Sequence, residues 1–70
     1  RTFTKSGTFQ PGEIVFDITP VGGKMPILVS EIHPSGFAAP VWYVSKTDNT
    51  VTVFCSGNGT GSISITVLYA

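Results

Sequence analysis

The sequence predicts an all-β fold, a six-stranded antiparallel sandwich, and three observations carry that expectation. No window sustains a 3.6-residue apolar period, and 8 Gly and 5 Pro interrupt the 70 residues too often for a long helix. Short β-branched and aromatic runs instead alternate in polarity, the mark of half-buried strands. Turn residues separate these runs at intervals of about ten residues, the spacing of sandwiches and barrels.

The first strand is read over Thr2 to Phe9, with Phe3 and Phe9 on one face and Thr2, Thr4, Ser6 and Thr8 on the other. Gly7 weakens its centre, and Pro11-Gly12 signals a turn. Glu13 to Thr19 sets Ile14, Phe16 and Ile18 against Val15 and Asp17, and Pro20, Gly22 and Gly23 end that run. The third strand, Pro26 to His33, opens on a Pro where no ladder donor is needed, and strict alternation groups Ile27 with Val29 against Leu28, Ser30 and Ile32. Ser35-Gly36-Phe37 comes next as a turn with an aromatic at its tip. The fourth strand, Pro40 to Lys46, holds the single Trp and has large apolar groups on both faces, Val41 and Tyr43 against Trp42 and Val44. Asp48-Asn49 suits a hairpin turn into Thr50 to Cys55, where Val51, Val53 and Cys55 share a face and Thr52 and Phe54 the other. Gly57 to Gly61 reads as a flexible loop, and Ser62 to Tyr69 as the last strand, with Ile63, Ile65, Val67 and Tyr69 in line.

One face of each strand supplies a core: Ile14, Phe16, Ile18, Ile27, Val29, Val51, Val53, Ile63, Ile65 and Val67. The opposite faces still carry Val15, Leu28, Ile32, Phe54 and Leu68. Single exposed apolar residues are ordinary, but aligned across neighbouring strands these would form a self-association patch. A chain of this size forms one domain, 1–70, and buries only about 60% of its unfolded surface. Its lone Cys55 permits no internal disulfide, so association is the remaining source of stability. Val15, Leu28, Phe54 and Leu68 are the candidate interface residues.

Four basic and four acidic residues balance to zero net charge, which argues against nucleic acid or an anionic membrane as partner. No apolar run approaches the roughly 20 residues of a membrane span. The chain begins at Arg1 rather than Met and is read as a C-terminal piece of a longer protein.

The order of features, Glu13 to Asp17, Pro26-Ile27-Leu28-Val29, Val41-Trp42-Tyr43-Val44-Ser45, Val51-Thr52-Val53 and Ile65-Thr66-Val67-Leu68-Tyr69-Ala70, resembles the H-type lectin-like sandwich found at the C-terminal tips of phage tail fibres and other phage receptor-binding proteins. The resemblance spans about Gly12 to Ala70. It implies a six-stranded sandwich packed as a homotrimer, located at the virion tail-fibre tip or otherwise extracellular, that binds a cell-surface glycan or another host receptor.

The residues do not compose a catalytic site. Glu13 and Asp17 lie roughly 13 Å apart along an extended strand, too far for the carboxylate pair of a glycosidase. Cys55 falls on an apolar face, where a free thiol is an inert small hydrophobe, and nothing pairs it with His33. Glu31 and His33 at i and i+2 are too few to hold a metal within one chain. No cofactor is expected, and Gly57 to Gly61 lacks the Lys and helix of a phosphate-binding loop. Glycan binding needs an exposed aromatic face and a few polar groups, and Phe37, Trp42, Tyr43, His33 and Asn58 offer such types. Phe37 sits in a loop, where binding residues concentrate, or anchors that loop on the sandwich. Trp42 is either such a contact or a core or interface aromatic. The alternative to a receptor-binding tip is a trimerisation or capping module with no ligand of its own.

Overall fold

The computed structural model describes residues 1–70. Six strands form, with no helix: β1 (Thr2–Phe9), β2 (Gly12–Asp17), β3 (Pro26–Ser35), β4 (Val41–Lys46), β5 (Thr50–Cys55) and β6 (Gly59–Tyr69). They make two antiparallel three-stranded sheets, one ordered β1-β6-β3 and the other β2-β5-β4. The β5 limits coincide with those expected from sequence, because Val51, Val53 and Cys55 alternate cleanly with Thr50, Thr52 and Phe54.

The two sheets close on the side chains that alternation assigns to the core. Phe16, Ile18, Val51, Val53, Ile63, Ile65 and Val67 are all at most 2% exposed and form one cluster, flanked by Phe3, Phe9, Ile14, Val29, Ile32, Phe37, Val41 and Tyr69. The central strands β5 and β6 supply most of it, since only they have a neighbour on both sides. Ile18 continues β2 by one step, its N–H donating to Asn49 O at 2.9 Å. At the far end of β6 the Tyr69 hydroxyl donates to Ile18 O at 2.9 Å, tying the second half of the chain to the first.

Strict alternation fails on β3 and β4, and bulges explain why. On β3 the register to β6 shifts between Pro26 and Leu28 and again between Val29 and Glu31. Each shift inserts one unpaired residue and reverses the parity of the residues beyond it. Ile27, expected in the core, is therefore 50% exposed. Ile32, expected on the outer face, instead opposes Ile65 and packs on the core. On β4 a shift between Tyr43 and Ser45 leaves Val44 unpaired, so Ser45 joins Trp42 on the outer face and Lys46 joins Val41 and Tyr43 opposite β5's core positions.

The β4–β5 connection is the one direct hairpin, and Asp48-Asn49 form its tip as expected. Thr47 N–H donates to Thr50 O at 2.9 Å. No non-glycine residue has a positive φ, so this tip is not the left-handed type I′ turn common in two-residue hairpins. The Thr47 hydroxyl holds it instead, accepting from Asn49 N–H at 3.2 Å and Thr50 N–H at 3.0 Å. Thr47→Val is expected to lower stability by about 1 kcal/mol, read from the urea midpoint at an unchanged slope. An unchanged midpoint would mean that water replaces the hydroxyl without loss.

The segment Gly57 to Gly61 is not a free loop. Gly59 and Gly61 belong to β6, pairing with Phe9 and Gly7. With Gly7 they leave the inner face of that sheet bare at one end. The β3–β4 connection folds into the gap. A Cβ on Gly59 would lie 2.3 Å from Phe37 Cβ, and one on Gly61 would lie 2.1 Å from Ser35 O. Gly36 makes the turn with φ +91°, a conformation that L side chains rarely adopt. Phe37 enters the cleft so formed and stacks on Phe9, ring centroids 5.6 Å apart. The glycines and the aromatic, read separately in the sequence, are two halves of one packing arrangement.

Candidate functional site

The outer face of the β2-β5-β4 sheet carries the site with the most chemistry. On β5 this face is Thr50, Thr52 and Phe54, because Val51, Val53 and Cys55 are turned inward. Register then fixes the neighbours. Glu13, Phe54 and Trp42 lie in one row across the three strands, and Val15, Thr52 and Ser45 lie in the next. The Trp42 indole stacks on the Phe54 ring at 5.0 Å between centroids and 28° between planes. Directly opposed aromatics of this kind stabilise a strand pair. Trp42 is nevertheless 49% exposed and Val15 46%. The result is a low aromatic platform with one carboxylate at its β2 side and hydroxyls in the adjoining row. An indole face of this sort can stack on the C–H face of a pyranose, while Glu13, Thr52 and Ser45 offer hydrogen-bond partners to its hydroxyls.

The five residues proposed from sequence as ligand contacts are not brought together. Trp42 lies on the platform. Tyr43, one residue on, points to the other side of β4 and lines a shallow cavity of about 180 Å³ with Val29, Ser30, Glu31 and Ile32, between the β3 and β4 edges. His33 lies on the outer face of the other sheet, opposite Ser64. Asn58 is exposed in the β5–β6 connection. Phe37 anchors the β3–β4 connection against Phe9. The four candidate interface residues also divide between opposite surfaces: Val15 and Phe54 on the platform, Leu28 and Leu68 directly opposite each other on the outer face of the β1-β6-β3 sheet. They make two patches rather than one.

That second outer face holds a feature that sequence alternation contained but did not assemble. The polar sides of β1 and β6 meet in register, and hydroxyl pairs form a ladder: Thr2 with Thr66 at 3.3 Å, Thr4 with Ser64 at 2.9 Å and Thr8 with Thr60 at 3.2 Å. Which strands pair was the missing information.

Cys55 is buried within the core face, its thiol donating to Gly57 O at 3.1 Å, while His33 faces outward from the opposite sheet. They form no nucleophile–base pair. No three side chains among His, Cys, Asp and Glu gather in a metal-binding group. Comparison with protein families, curated proteins and solved structures finds no match to this chain.

Proposed function

We propose that this domain is a glycan-recognising attachment module, the receptor-binding tip of a fibre such as a phage tail fibre or a similar extracellular adhesin, working as a homotrimer. The observation that carries the reading is the half-exposed Trp42–Phe54 stack on a flat sheet face, edged by Glu13, Ser45 and Thr52. The stack with Phe54 leaves about half of the indole in water, and that exposed surface is what a sugar ring can cover. Repetition of the platform by three-fold association would multiply weak single-site binding through avidity.

A second reading has its own observation. Leu28 and Leu68 oppose each other across β3 and β6, 44% and 52% exposed, and suit a trimerisation or capping module with no ligand. Two measurements separate the readings. On a printed glycan array the labelled domain should capture a subset of glycans, and Trp42→Ala should weaken capture about tenfold or more, the equivalent of ~1.4 kcal/mol, with the circular dichroism spectrum unchanged. Light scattering should give a trimer mass that Leu28→Asp reduces to a monomer. A trimer that captures no glycan would favour the capping module, and a folded monomer at every concentration would overturn both.

A further inference from the structure

We propose that the free edge of β2 accepts an added β-strand from a protein partner, in antiparallel register, and that it selects a segment with basic, apolar and basic residues at alternate positions. This surface borders the aromatic platform and shares Glu13 and Val15 with it, but it uses the backbone edge of β2 and does not rest on the glycan reading.

The two sheets expose four edges, and three carry devices that discourage strand addition. On β1, Lys5 lies on the inward-facing side of the strand, its Nζ 5.9 Å from the Phe16 ring centroid. β3 begins at Pro26, contains Pro34 and has two register shifts. β4 has a shift at Val44. β2 has none of these: its register to β5 runs unbroken from Gly12 to Asp17, without Pro, bulge or Lys.

The direction of its free backbone groups is set by the pairing. Ile18 N–H donates to Asn49 O, on the β5 side. In an antiparallel ladder alternate residues turn their N–H and C=O to the same neighbour. Gly12, Ile14 and Phe16 therefore bond to β5, and Glu13, Val15 and Asp17 offer their N–H and C=O groups to the open side. The side chains of those same three residues stand on the outer face and are exposed.

Charge decides what fits there. A second copy of β2 added in the register that uses all three residues would set Val15 against Val15, and Glu13 against Asp17 twice over. Like charges directly opposed destabilise a strand pair. A strand with Lys or Arg opposite Glu13 and Asp17, and Val, Ile or Leu opposite Val15, replaces both repulsions with attraction and covers the exposed Val15. Its intervening side chains would face Lys5 at the open side of the core, which suits small polar residues.

The test uses three peptides with the core Lys-Thr-Val-Thr-Lys, Glu-Thr-Val-Thr-Glu, and the lysine sequence N-methylated along one edge. Titrated into the ¹⁵N-labelled domain, the lysine peptide should shift the amides of Glu13, Val15 and Asp17. The glutamate peptide should bind about tenfold more weakly or worse, and the methylated peptide should not bind. Salt should weaken the lysine complex by screening. Val15→Pro removes a free-edge N–H at a position where a Pro keeps the β5 bonds, and should abolish binding. Should that variant fail to fold, Glu13→Lys with Asp17→Lys should reverse the preference in favour of the glutamate peptide. Equal binding of the two charged peptides, binding by the methylated peptide, no binding of the lysine peptide at millimolar concentration, or an unreversed preference would each overturn the proposal.

Discussion

Gly61→Ala is expected to remove a large share of the domain's stability. The added Cβ would lie 2.1 Å from Ser35 O and 3.0 Å from Gly36 Cα. Both are backbone atoms, so no side-chain rotation relieves the overlap, and the end of β3 together with the connection that follows it must lift away from β6. That lift withdraws Phe37 from its seat on Phe9. The loss should exceed about 3 kcal/mol, against a total of roughly 4 to 10 kcal/mol for a chain this size. Gly59→Ala provides the comparison. There the nearest atoms belong to the Phe37 side chain, the closest being its Cβ at 2.3 Å, so Gly59→Ala with Phe37→Gly, which removes every overlapping atom, should cost less than the sum of the single changes. Thermal and urea unfolding followed by circular dichroism read both. A Gly61→Ala protein within about 1 kcal/mol of the parent would be incompatible with the packing of this end.

This end of the sandwich also shows where the sequence stops being legible. Alternation located six strands because Val51, Val53, Ile63, Ile65 and Val67 meet a continuous core and their neighbours meet water. It could not show that Gly59 and Gly61 are strand residues, because a glycine that makes room for a distant loop has the same appearance as one in a mobile turn. The same limit applies at Ile27 and Ile32. A bulge changes which face a residue takes without any compositional sign, and only the pairing with β6 reveals it. For the candidate site, Trp42 was legible as a residue of interest. Its stacking on Phe54 and its separation from Tyr43, His33, Asn58 and Phe37 depend on sheet order, which a local pattern does not contain.

Ile65→Ala is expected to have the second large effect, a loss of about 2 to 5 kcal/mol. Ile65 is fully buried on the central strand β6, with Phe3 opposite it on β1 and Ile32 opposite it on β3. Truncation leaves a void that three strands line, and those strands cannot close on it without breaking their ladder bonds. The urea midpoint should fall with the slope unchanged, because the surface exposed on unfolding is nearly the same. Thr66→Ala, one residue along and on the outer face, removes a 3.3 Å hydroxyl contact with Thr2 and should cost less than about 1 kcal/mol. A loss below about 1 kcal/mol for Ile65→Ala would place it outside the core.

The strand order carries a consequence for how the domain is made. β6 is the middle strand of its sheet and joins β1 to β3, with Thr2 opposite Thr66. It is also the last of the six to be synthesised. While a ribosome is still extending the chain, β1 and β3 have no strand to pair with, and β2, β4 and β5 can assemble with their apolar face uncovered. Such distant pairings close slowly, and the waiting intermediate exposes a sticky surface. Sandwich assembly therefore begins only when β6 clears the exit tunnel. Until then the apolar face of β2-β5-β4 has no facing sheet within the chain to cover it.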